Sequence, residues 1–181
     1  MRPRMFPMIA ALLCVTIAGA RAQAPTPTAQ LEAMKKLDWL AGTWKGSGSI
    51  EYAPGQKQIF NGTETVESKL GGVVLLVQGE HTSKVPGRQE EVPAHRALGV
   101  LYYAASASHY VFQTHLASGD HSTAEATLQE GGLDWGTSNP RGQVRFHIRH
   151  TDKDQWHETG EMSRDGQTWT PFFEMTLERQ K

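Results

Sequence analysis

Two short stretches decide the fold: Gly42-Thr43-Trp44, at the close of a helical segment, and Leu177-Glu178-Arg179, at the end of the last strand-like run. A tryptophan on a first strand and an arginine on a last strand meet only when the sheet between them curls round and closes. The pair therefore predicts an all-β fold, an antiparallel up-and-down β-barrel. Barrels of this size have an interior that is packed with side chains or holds one small ligand.

Upstream of Trp44, the residues Leu31, Met34, Leu37 and Ala41 recur at helical spacing, with Thr28 as N-cap and Gly42 as stop. They predict one short N-terminal helix capping an end of the barrel. From Trp44 the period becomes two, since Trp44, Ile50 and Tyr52 share a parity with Gly46 and Gly48. Further strand-like runs cover 58–69, 73–83, 96–104, 108–116, 123–129, 133–138, 143–150, 155–163 and 168–179, about ten strands in all. Leu70-Gly71-Gly72, Glu130-Gly131-Gly132, Arg164-Asp165-Gly166 and the segments 104–107 and 151–154 favour tight reversals, so neighbouring strands should be antiparallel. The longer breaks, 84–94 with two prolines and 117–122 with Gly119-Asp120, are expected at an open mouth.

The first 22 residues stand apart. Arg2 and Arg4 precede an apolar run from Met8 to Gly19, and Ala20-Arg21-Ala22 has the form of a cleavage site, so 1–22 reads as a signal peptide. Residues 23–28 (QAPTPT) read as a flexible proline-rich tether, and 29–181 as the barrel domain. Cleavage near Ala22 makes the product periplasmic or secreted, with no transmembrane segment. It also removes Cys14, the lone cysteine, and three arginines, which moves the formal charge from -1 to -4. The remaining charges are scattered, with no basic stripe for nucleic acid.

The Gly42-x-Trp44 signature, the ten-strand meander and the late Arg179 resemble the calycin superfamily of lipocalins, fatty-acid-binding proteins and haem-binding nitrobindins. The stretches 37–44 (LDWLAGTW), 165–169 (DGQTW) and 173–177 (FEMTL) are closer still to a family of bacterial exported proteins recorded as a domain of unknown function. The resemblance spans the whole domain and implies architecture rather than a ligand. Read physically, Gly42, Trp44 and Arg179 form a structural closure: Gly42 ends the helix, Trp44 fills the narrow end, and Arg179 covers the indole and the free helix carbonyls.

Ligand-contacting candidates are polar or aromatic residues with a chance of facing inward. Glu64, Glu158 and Glu174 reach the interior if their strand faces are the inner ones, and Trp135 is counted with them. A carboxylate in a barrel needs a partner, because an unpaired buried charge is very costly. Arg145, His147, Arg149, Tyr103 and His115 are the candidates for that partnership. The alternative is that most of these residues lie on the solvated outer face.

Among the eight histidines no pair has metal geometry: His147 and His150 have opposite parity, and His109 and His115 lie about 20 Å apart along an extended strand. The nitrobindin likeness implies a haem-holding histidine near the C-terminal strands, for which His147, His150 and His157 are the lone candidates; no other cofactor is expected. Catalytic signatures are absent: Gly46-Ser47-Gly48-Ser49 lacks the spacing of a nucleophile elbow, and the mature chain has no thiol. The expected function is an exported, non-catalytic barrel that binds a small apolar or amphipathic molecule. The alternatives are an interaction barrel with a filled interior, and a haem-dependent or acid-base enzyme.

Overall fold

Alternation of side chains across a pleated backbone turns the period-two runs into strands with one apolar face. A computed structural model describes residues 27–181 apart from Tyr52 and Arg141. The expected signal peptide, tether residues 23–26 and the place of Tyr52 on the first strand lie outside the described residues. Among the described residues ten strands follow in order: β1 (Gly42–Glu51), β2 (Lys57–Lys69), β3 (Val74–Ser83), β4 (Val92–Ala104), β5 (His109–Leu116), β6 (His121–Gln129), β7 (Gly132–Asn139), β8 (Gly142–His150), β9 (Gln155–Ser163) and β10 (Thr170–Arg179). Each pairs antiparallel with the next, and β1 also pairs with β10, so the sheet closes into a barrel. Trp44 stands opposite Arg179 in the closing register, the meeting that the two end motifs predict.

The boundaries of two loops differ from expectation. β4 starts at Val92, so the loop at the mouth is 84–91, and β6 starts at His121, so the second is 117–120. Pro93 is tolerated inside β4 because it sits where the β3–β4 register slips between His81 and Thr82.

The helix is shorter than its periodicity suggests. α1 spans Thr28–Lys35, and a 3-10 turn over Asp38–Leu40 follows. Pro27, not Thr28, is the N-cap, and no side chain caps that end. The turn lets Leu37 and Leu40, 0% and 1% exposed, both point into the barrel end, which a straight helix running on to Ala41 would not do. α1 lies across that end: Met34 is buried in the same core, and the Tyr110 hydroxyl donates to the Ala33 carbonyl at 2.8 Å. Among the described residues no helix is long and apolar enough to cross a membrane.

Trp44 seals the floor. It is fully buried, its Nε1 donates to the Leu40 carbonyl at 2.8 Å, and its ring meets Trp39 and Trp156 edge-on with centroids 6.3 and 6.0 Å away. The Arg179 guanidinium lies 4.0 Å from the centre of the indole. Its Nη1 and Nη2 donate to the carbonyls of Ala41 at 2.8 Å and Trp39 at 2.7 Å, and its Nε donates to Asp154 at 3.0 Å. Gly42 adopts φ 132°, which strains any side chain, and a Cβ there would also crowd Arg179 Nη1 at 3.0 Å. The loops 84–91, 117–120 and 164–169 all fall at the opposite rim, as the up-and-down chain path requires.

Two substitutions test this floor. Trp44→Ala should lower stability by about 3–5 kcal/mol, the usual effect of emptying a core aromatic site; a urea-melt difference below about 1 kcal/mol would mean that Trp44 does not plug the barrel. Arg179→Lys should cost about 1–3 kcal/mol, because one ammonium cannot reach both carbonyls while lying flat on the ring. Equal unfolding midpoints for Arg179→Lys and wild type would show that the two carbonyl bonds carry nothing.

Candidate functional site

Above the floor the barrel is hollow. A cavity of about 630 Å³ runs up its interior, walled mainly by apolar side chains such as Val77, Leu101, Phe112, Phe146, Phe172 and Phe173. Among the described residues four ionisable side chains enter it: Glu64 from β2, His81 from β3, His95 from β4 and Glu158 from β9. Strand alternation places each one, since Glu64 shares a face with Phe60 and Val66, His81 with Leu75 and Val77, and Glu158 with Trp156.

Three of these groups are almost out of solvent, with Glu64 and His81 each 7% exposed and Glu158 8%, whereas His95, near the rim end of β4, is exposed. His81 Nε2 and Glu64 Oε1 are hydrogen-bonded at 2.9 Å. The imidazole is stacked on the Phe60 ring with centroids 4.6 Å apart, and the His95 ring lies 5.3 Å from it. Room for the Glu64 carboxyl comes from Gly79, its cross-strand neighbour, where a Cβ would lie 2.7 Å from Oε1. On β9, Trp156 Nε1 donates to Glu158 Oε2 at 3.1 Å.

Burial sets the charge state of this wall. It is the main force pushing the Glu158 carboxyl up to about 8, the negative charge of Glu64 adds to it, and the Trp156 hydrogen bond opposes both. Glu158 is therefore mostly protonated at neutral pH. Burial also lowers His95, with His81 beside it contributing, so His95 is neutral there. Higher on the same face of β3 the Ser83 hydroxyl, in a residue 1% exposed, has no hydrogen-bond partner. The indole nitrogen of Trp135 is likewise unpartnered.

The sequence candidates divide. Glu64, Trp135 and Glu158 line the cavity. Tyr103 belongs to the packed end, with its ring against Tyr110 at 5.1 Å. His115, Arg145, His147 and Glu174 do not reach the interior, because on their strands they alternate with the inward Thr114, Leu116, Phe146, Ile148, Phe173 and Met175. Outside, His115 stacks with His121 at 6.1 Å, and Glu174 is exposed. Arg145 pairs with Glu161 at 2.7 Å and covers the Trp169 ring at 4.0 Å, while His147 lies between Asp134 at 3.0 Å and Glu161 at 3.5 Å. Arg149 is paired with Asp134 at 2.7 Å. Of the remaining haem candidates, His150 stacks on Trp39 at the closed end, and His157 is hydrogen-bonded to Thr176 on the outer face.

The partners of the buried carboxyls are thus His81 and Trp156, not the arginines. His81, His95 and Ser83 were absent from the sequence candidates, although His81 and Ser83 continue the parity of Leu75 and Val77, a signal open to reading. Among the described residues no group of three or more His, Cys, Asp or Glu could hold a metal ion. What the arrangement offers is an apolar container with one polar wall, able to bury a ligand and to hold a proton at Glu158.

No curated protein matches the chain. Solved structures share its fold, two of them as follows. Rv2717c from M. tuberculosis aligns with a TM-score of 0.60 and 16% identity, covering 82% of this chain and 98% of that one. The S-type phycobiliprotein lyase CPES from Guillardia theta aligns with a TM-score of 0.55 and 15% identity, covering 84% and 93%. At these identities the likeness is one of architecture, a calycin-like barrel. The family model described as "Protein of unknown function (DUF1579)" matches residues 27–179, the whole of the barrel, and the chain belongs to that family.

Proposed function

We propose that this protein is an exported, non-catalytic barrel that binds one small, partly apolar molecule in its interior. The cavity of about 630 Å³ carries the reading; small-molecule sites span roughly 300–1,000 Å³. Its aromatic and aliphatic walls would supply affinity through burial, at roughly 25 cal/mol per Å² of apolar surface. The few buried polar groups would orient the guest. An interior of that volume also weighs against a barrel filled by its own side chains. Export is supported by the N-terminal basic residues, the apolar run and the Ala20-Arg21-Ala22 site.

The polar wall costs stability, which favours a role in binding over a role in folding. Glu158 holds a proton in the folded protein that the unfolded chain loses above its ordinary pKa of 4.5, and the folded group keeps it up to about 8. Stability therefore falls as pH rises across that window, by up to about 1.4 kcal/mol per pH unit, and levels off above it. Glu158→Gln keeps the neutral shape and removes the slope, so the variant should be the more stable protein at about pH 8. Urea melts at about pH 5, 6.5 and 8 measure this, and identical profiles for the two proteins would show that Glu158 is ionised in the fold.

Binding itself is read with N-phenyl-1-naphthylamine, an uncharged dye that brightens in apolar surroundings. It should saturate at one molecule per barrel, and Thr137→Trp, which fills the cavity from β7, should abolish the signal. Undiminished fluorescence in that variant would put the dye outside the barrel. Native mass spectrometry of protein taken from its own periplasm should show a co-purifying small molecule.

A further inference from the structure

The cavity has an unbalanced set of charges. Among the described residues that line it are two carboxyls, Glu64 and Glu158, and two imidazoles, His81 and His95, but no lysine or arginine. The walls contributed by β1, β5, β6, β7, β8 and β10 hold no ionisable side chain. With His95 neutral, two carboxyls face at most one cation, His81, which is engaged with Glu64. The barrel settles this by leaving the proton on Glu158.

Among the described residues Trp156 is the one side chain bonded to Glu158, which leaves Oε1 as an acceptor, and elsewhere on the wall the Ser83 hydroxyl and the Trp135 indole N–H have no partner. Aromatic rings stand beside the carboxyls: Trp156 next to Glu158, and Phe60 on the Glu64 face with Phe173 stacked 5.7 Å away.

We infer that this cavity selects an amphipathic amine, whose ammonium group is held by Glu64 and Glu158 while its apolar body fills the space between the aromatic walls. The inference rests on the binding-barrel reading and narrows its ligand class. A carboxylate ligand would enter beside Glu64 with no guanidinium or ammonium to meet it, an arrangement a water-poor site penalises heavily. An uncharged ligand would leave Glu158 protonated and give its free oxygen no cation. An ammonium has three N–H donors for the carboxyl oxygens, and the rings add cation–π attraction. The proton balance is definite: as the cation arrives, Glu158 ionises and its O–H proton passes to solvent, while no bond of the ligand is made or broken.

Isothermal titration with n-decylamine, 1-decanol and decanoate, at about pH 7 in buffers of different ionisation enthalpy, tests this. Decylamine should bind at least about tenfold tighter than decanol, with decanoate weakest. Close to one proton should be released per amine bound, and none with decanol. The release should vanish in Glu158→Gln and, in wild-type protein, at about pH 9.5, where Glu158 is already ionised; the second measurement stands even if the variant does not fold. Equal or tighter binding of decanol or decanoate, or amine binding without proton release, overturns the amine inference and leaves the binding barrel standing. Failure of all three alkyl probes while the uncharged dye still enters the barrel has the same result; failure of every probe, dye included, overturns both.

Discussion

The Arg179 guanidinium on the Trp44 ring is the contact on which the rest of the barrel depends. One planar group covers a fully buried indole, donates to the carbonyls of Trp39 and Ala41 that the helix-to-strand turn leaves bare, and ties β10 to the β8–β9 turn through Asp154. A carbonyl left unpaired at a buried helix end is costly, and a flat fork of donors suits two of them at once. Because first and last strands are sealed in this way, the sheet has no free edge at its seam. Access to the interior is then a matter for the other rim.

That division of labour explains the uneven filling of the barrel. At the floor Met34, Leu37, Leu40, Trp44 and Leu177 pack as a conventional core. Toward the rim, inward positions carry small or polar groups such as Gly79, Ala97, Thr114, Ser122 and Thr137, and space remains between them. A protein stabilised by one well-packed end can leave the other hollow without losing its single native state. The burial of Glu64, His81 and Glu158 draws on the same reserve, since each would be cheaper to keep in water.

Much of the fold was legible because alternation and turn chemistry act locally. Gly71-Gly72 and Asp165-Gly166 marked reversals that the strands obey, and the Trp44–Arg179 meeting followed from topology alone. The helix stops short of its apolar spacing because Leu37 and Ala41 continue a helical period that the chain abandons so that Leu37 and Leu40 can both enter the floor. For the site, the acids were visible but their surroundings were not. Glu174 lies between Phe173 and Met175, and His147 between Phe146 and Ile148, so parity alone argued for the outside; the attraction of a charged partner for a buried acid argued the other way and was wrong. Which residue opposes Glu64 is a non-local fact, fixed by the β2–β3 register that sets Gly79 across from it and brings His81 within reach.

The arrangement of the interior sets how a guest would lie. Glu158, Glu64, His81 and His95 come from β9, β2, β3 and β4, while Trp135, Phe146 and Phe173 come from β7, β8 and β10. His95 sits close to the rim end of β4, and from it the rings and carboxyl of His81 and Glu64 lead inward in steps of 5.3 and 2.9 Å. His95, His81 and Glu64 thus form a strip descending the β4–β3–β2 side of the cavity rather than a ring around its mouth, and Glu158 faces in from β9, between the aromatic residues of β8 and β10. A guest entering from the rim would meet polar groups along its path and at its deepest point, and apolar surface on its other flank. Such a lining suits a molecule that is itself two-faced, and it would order that molecule by rotation as well as by depth.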